Sequence, residues 1–158
     1  MRFCNTLPDM KYILIGVALS VIGLLGLSRL SNRLPNGLGV SSGQLAQCPS
    51  SKNCVSSQSS DREKRVAPIK ASGPSDIVMA DLIHAIESMK GGRITALDGR
   101  YLRAEFTSRV WRFVDDLECY HDVEHGIIHV RSASRVGYSD FGTNRKRVEE
   151  LRANMTAE

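Results

Sequence analysis

Three clusters have residue types and spacings that could do chemistry. The first is acidic: Asp115, Asp116 and Glu118 in VWRFVDDLECYHDV. Paired carboxylates can divide acid and base roles when their surroundings drive their pKa values apart. Successive strand residues point to opposite faces, however, so Asp115 and Asp116 cannot act together directly. Asp116 and Glu118 share a face that also carries Arg112. Hydrolysis through Asp115 or Glu118 is the weakest reading, because no nucleophile, base and oxyanion donor fall into one constellation. A ladder of structural ion pairs to Arg131 and Arg135 fits the pattern better.

The second cluster is HDVEH, residues 121–125, with His129 beyond it. It matches the H-x-x-E-H pattern of inverted zinc peptidases, whose chemistry stacks both histidines on one helix face. Here the segment alternates as a strand and runs into Gly126. Surface histidines beside a turn are the expectation, with no metal and no cofactor. A third motif, GVSSG at residues 39–43, has the form of a nucleophile elbow but lies in a Ser/Gly-rich stretch with no partner groups.

The basic stretch VRSASRVGYSDFGTNRKRVEEL, residues 130–151, is the remaining candidate. Arginine forks beside free N–H groups at a helix start make a plausible anion site. Arg131, Ser132, Ser134, Arg135 and Arg145 would surround the ligand. Asp140 competes with that reading, because as a helix N-cap its charge fills the place an anion wants. Arg131 and Arg135 are therefore expected to pair internally, leaving Arg145 to Arg147 for headgroups or a partner.

Elements must position these groups. GPSDIVMADLIHAIESMKGG predicts a helix started by Pro74, Ser75 and Asp76, striped by Met79, Leu82, Ile86 and Met89, and stopped by Gly91 and Gly92. Asp98-Gly99 predicts a two-residue hairpin turn, with Leu102, Ala104 and Phe106 on one face of the second strand. Trp111, Phe113, Leu117, Cys119 and Val123 share a face in the next strand, and Asp115 sits among them. A turn at Glu124-His125 puts Glu118 opposite Arg131, Asp116 diagonal to it, and Asp115 opposite Ser134. A last helix starts near Thr143, with Val148, Leu151 and Met155 on one stripe. The sum is an α+β two-layer domain over residues 66–158: helix, four-stranded antiparallel meander, helix.

Upstream, residues 12–28 (YILIGVALSVIGLLGLS) carry no charge and lie between Lys11 and Arg29. Such a run predicts an uncleaved transmembrane anchor at the short end of what crosses a bilayer. Residues 1–11 would be a cytoplasmic leader and residues 29–65 a linker. Gly16, Gly23 and Gly26 are compatible with a second helix approaching closely. Cys48 and Cys54 in CPSSKNC can close a small loop, which suits a disulfide in an oxidising compartment. Cys4 would then lie on the reducing side, and Cys119 reads as a small buried apolar residue. The placement expected is a bacterial inner membrane, single pass, with the C-terminal domain periplasmic. A net charge of +4 and an aromatic content of 6% fall short of a nucleic-acid binder.

Three blocks resemble a known family. LAQCPSSKNCVSSQ, YLRAEFTSRVWRFVDDLE and VRSASRVGYSDFGTNRKRVEELR are similar, in this order, to the motifs of a bacterial and plastid family, domain of unknown function 1499. The likeness covers about residues 38–154. The family's first block usually has proline where Lys52 stands here. The resemblance implies that Cys48, Cys54, Asp115, Asp116, Arg131, Ser132, Ser134, Arg135 and Asp140 match family motifs, and that an N-terminal membrane segment is common. It implies no activity. The expected role is a membrane-anchored envelope protein that binds or assembles with an envelope partner. The alternative is a module for a small anionic or phosphorylated ligand.

Overall fold

A computed structural model describes residues 10–31, 33–109 and 112–156, without the side chains of residues 24, 25 and 27–31. Arg2, Cys4, Trp111 and most of the expected leader lie outside the described residues. In chain order the elements are α1 (Met10–Ser31), β1 (Val40–Ser41), β2 (Gln44–Leu45), β3 (Cys54–Ser56), β4 (Ile69–Lys70), α2 (Ser75–Ser88), β5 (Gly92–Asp98), β6 (Tyr101–Thr107), β7 (Val114–Asp122), β8 (Ile127–Ser134) and α3 (Thr143–Thr156).

The class is α+β, and β5 to β8 form the antiparallel meander that the alternating runs predict. The sheet is larger than four strands: its order is β3-β8-β7-β6-β5, and β4 also pairs with β8. The stretch 29–65, expected as a linker, thus contributes the β1-β2 hairpin and the edge strand β3. Runs of two or three residues are too short to show a period-2 pattern, and backbone pairing does not need one.

Alternation decides which face each strand buries. Leu102, Ala104, Phe106, Leu117, Cys119, Ile128 and Val130 point inward and pack under the two helices. Val78, Met79, Leu82 and Ile86 meet them from α2, Val148 and Leu151 from α3. Full burial of one such Leu or Ile contributes about 2 kcal/mol relative to exposure. Phe113 and Val123, expected on this face, are exposed at the two ends of β7.

The register of β7 and β8 is the one predicted: Glu118 faces Arg131 and Asp115 faces Ser134. The first hairpin is shifted by one residue. Asp98 pairs with Tyr101, so the turn residues are Gly99 and Arg100, and Gly99 takes the left-handed conformation at φ +55°. Gly92, where α2 hands over to β5, is needed for another reason. A Cβ there would stand 2.9 Å from the Ile86 carbonyl and 3.0 Å from the Phe106 ring.

Residues 12–28 lie within α1, whose described large apolar side chains from Tyr12 to Ile22 are exposed. The transmembrane anchor expected here is not shown: among the described residues, which leave out the side chains of residues 24, 25 and 27–31, no helix is long and apolar enough to cross a membrane.

Candidate functional site

The acidic cluster is built into two polar networks, one on each face of the sheet. Strand parity causes the split: Asp115 points inward, Asp116 and Glu118 outward.

On the outer face Glu118 is fully buried. Its Oε2 accepts from Arg131 Nη1 at 2.8 Å, and its Oε1 accepts from the Tyr101 hydroxyl at 3.0 Å and the Gly39 N–H at 2.8 Å. Burial, then the charge of Glu118 and the bond to it, push the Tyr101 phenol well above its ordinary range, so Tyr101 stays a donor. Among the described residues, the buried Arg131 Nε finds no hydrogen-bond partner. One step along the same face, Arg135 grips Asp116 with Nε and Nη2, each at 2.8 Å, and also donates to Glu105. The expected diagonal contact from Asp116 to Arg131 is replaced by this fork, which suits the planar guanidinium. Glu105 is further held by Arg93 at 3.0 Å. Burial acts to raise the Glu105 carboxyl, but the bonds and charge of Arg135 and then Arg93 outweigh it and hold the group below its usual range.

On the inner face Asp115 meets Arg147, whose Nη2 lies 2.6 Å from its Oδ2. Arg147 was expected free, yet it is buried. It shares the helix stripe of Val148 and Leu151, so α3 carries it against the sheet. Its guanidinium also sits 4.7 Å from the Phe106 ring centroid and donates to Ser132 and Asn144. Ser132 donates to Asn144 at 2.7 Å, and the Asn144 amide reaches Ser134 and the Asn53 carbonyl. Asn53 in turn caps the chain after β8, its Nδ2 donating to the Gly137 carbonyl at 2.6 Å. The Cys48–Cys54 disulfide holds the loop that presents Asn53. Asp140 accepts from the Gly142 and Asn144 N–H groups, so its carboxylate fills the start of α3.

The five anion-site candidates are not brought together. Arg131 and Arg135 lie outward, Ser132 and Ser134 inward, and Arg145 donates from the surface to the Arg65 and Glu63 carbonyls. Asn144, Asn53, Glu105 and Tyr101 were not among the candidates, and Arg147 was expected free for a headgroup or partner. Arg147 and Asn144 were open to detection from the α3 stripe; Asn53 and Glu105 carried no local signal.

The histidines separate likewise. His121 is buried, with Nδ1 3.0 Å from the Ser75 hydroxyl and Nε2 3.3 Å from the Ala71 carbonyl. His125 is exposed on Asp122, and His129 lies half-buried on the opposite face from His121. Burial depresses His129, with Asp122 partly restoring it. Gly39 to Gly43 precede and enter the β1-β2 hairpin, not a strand-to-helix turn.

No curated protein matches the chain. A family model described as "Protein of unknown function (DUF1499)" matches residues 44–155, which include the disulfide and both networks apart from Gly39. The chain belongs to that family.

Proposed function

We propose that this chain is a membrane-tethered envelope module that works by binding or assembly, with its domain on the periplasmic side of a bacterial inner membrane. One observation carries the choice of binding over catalysis. Asp115, Asp116 and Glu118, the carboxylates a hydrolase would need, each close an ion pair with an arginine, and they lie on two faces of the sheet. A carboxylate locked to a guanidinium, and in Glu118 also to a hydroxyl and an amide donor, has little freedom to exchange protons with a substrate. Support for the location comes from the Cys48–Cys54 bond, which persists in oxidising compartments. Support for the tether comes from α1, whose described apolar side chains find no cover in the domain.

The location is tested by fusing alkaline phosphatase after Glu158. Activity of the fusion, together with carbonate-resistant membrane retention that disappears when residues 12–28 are deleted, is the expected result. An expressed but inactive fusion contradicts it. For binding against catalysis, native membranes are cross-linked and the tagged chain is purified. A stoichiometric envelope partner that captures this chain reciprocally is expected. Turnover of a substrate that vanishes in a folded Glu118→Gln variant would restore the hydrolase.

A further inference from the structure

The antiparallel meander gathers distant sequence at each end of the sheet. Residues 107–109 and 112–114, the start of β5 and the residues after Ser134 meet at one end; the 98–101 and 122–127 turns meet at the other. The first end is basic. On its outer face lies a cavity of about 460 Å³ lined by Arg93, Glu105, Thr107, Arg112, Val114 and Arg135. That volume is in the range of small-molecule sites.

Three arginines line this cavity with one carboxylate, Glu105, while Asp116 behind the lining also pairs with Arg135. Arg135 is fixed at its base by Asp116 and Glu105 and cannot swing away. Glu105 is bridged between Arg135 and Arg93, so its negative charge is met from both sides. Arg93 otherwise reaches into solvent, with its side chain 74% exposed. Arg112 differs from both. It is exposed, it has no carboxylate partner among the described residues, and its backbone sits at φ +56°, a conformation a long side chain seldom adopts. Unusual backbone held at a pocket rim is a feature of ligand sites. Planar guanidinium forks suit the oxygens of a phosphoryl group, and a pre-fixed arginine removes part of the ordering cost of binding one.

We infer that Arg93, Arg112 and Arg135, with the Thr107 hydroxyl, form a binding site for a phosphoryl group, supplied by a soluble phosphate ester or by a phospholipid headgroup. Arg93 and Arg112 close on the anion, and Arg135, held by Asp116 and Glu105, forms the rigid base of the site. This site goes beyond the tethering and assembly reading and stands if that reading fails.

The test uses the full chain in zwitterionic phosphatidylcholine nanodiscs. Glycerol 3-phosphate is titrated while the Arg93 and Arg112 guanidinium signals are followed by NMR. In parallel, the chain is assayed on vesicles of phosphatidylglycerol against phosphatidylcholine. Saturable shifts with the ester identify a soluble source. Binding only to phosphatidylglycerol identifies a headgroup. In either arm, Arg93→Gln and Arg112→Gln should each weaken binding about tenfold, Arg112→Lys less, and Lys70→Gln at the other end of the sheet not at all. Both arginines are exposed, so unchanged urea midpoints confirm that the variants fold. No saturable binding in either arm, or binding that Lys70→Gln weakens as much as Arg112→Gln, overturns the site.

Discussion

The Gly39 N–H donates to Glu118 across 79 residues of sequence, at 2.8 Å. A carboxylate buried on the outer face of β7 therefore holds the chain that arrives from α1. The connection between helix and domain is docked at this point, not free. A hydrogen bond to a charged group contributes roughly 1.5–3 kcal/mol. Hydrogen exchange should find the Gly39 amide protected in the wild type, and Glu118→Ala should speed its exchange tenfold or more. Equal exchange in both would mean that the contact is not made in solution.

Gly92→Ala tests the packing of α2 on the sheet. The added Cβ meets backbone at 2.9 Å on one side and an aromatic ring on the other, so neither neighbour gives easily. Overpacking of this kind costs about 1–3 kcal/mol. The urea midpoint should fall accordingly; an unchanged midpoint would show a looser seam.

Acid should weaken the fold in two steps. His129 titrates below its ordinary 6.5 because burial disfavours its charge, so its contribution is complete above pH 6.5 and declines as pH falls below it. Glu105 titrates below its ordinary 4.5 because Arg135 and Arg93 outweigh its burial, so its contribution is complete above pH 4.5 and is lost further down. Urea midpoints measured from pH 8 to pH 3 should fall first below 6.5 and again below 4.5. In Glu105→Gln the second step should shrink. A second step of full size there would assign it to other groups.

The three described cysteines should behave as two classes. Cys119 is fully buried, and burial pushes its thiol well above the ordinary range. Alkylation of the native chain should spare it, and labelling should appear only after unfolding. Peptide mapping without reductant should link Cys48 to Cys54, and reduction should lower stability by about 2–3 kcal/mol. Rapid labelling of native Cys119 would place it outside the core.

Much of this arrangement was legible in the chain, for physical reasons. The strong alternation of β7 and the Gly126 turn specify a register, and with it the facing of Glu118 and Arg131. Asp115 stood out as a charge among inward residues, but its partner lies on a helix 32 residues away, and only the α3 stripe points to Arg147. Arg135 was expected near the acidic strand; its contact with Glu105 reaches past β7 to β6, and no two-residue turn joins β6 to β7 to specify that register. Strand β3 was invisible because three residues carry no period. It nevertheless positions the disulfide loop and Asn53.

If the acids of β7 in this chain are structural, the Glu118–Arg131 pair shows it most directly. A double-mutant cycle with Glu118→Gln, Arg131→Met and both together, followed by urea unfolding of the intact chain in detergent, measures their coupling. Removing one partner from a buried pair costs about 3–5 kcal/mol because the other charge is stranded. Each single change should therefore destabilise strongly, and the double change should cost little more than either, a coupling above about 2 kcal/mol. Single effects that add to within about 0.5 kcal/mol would contradict the account.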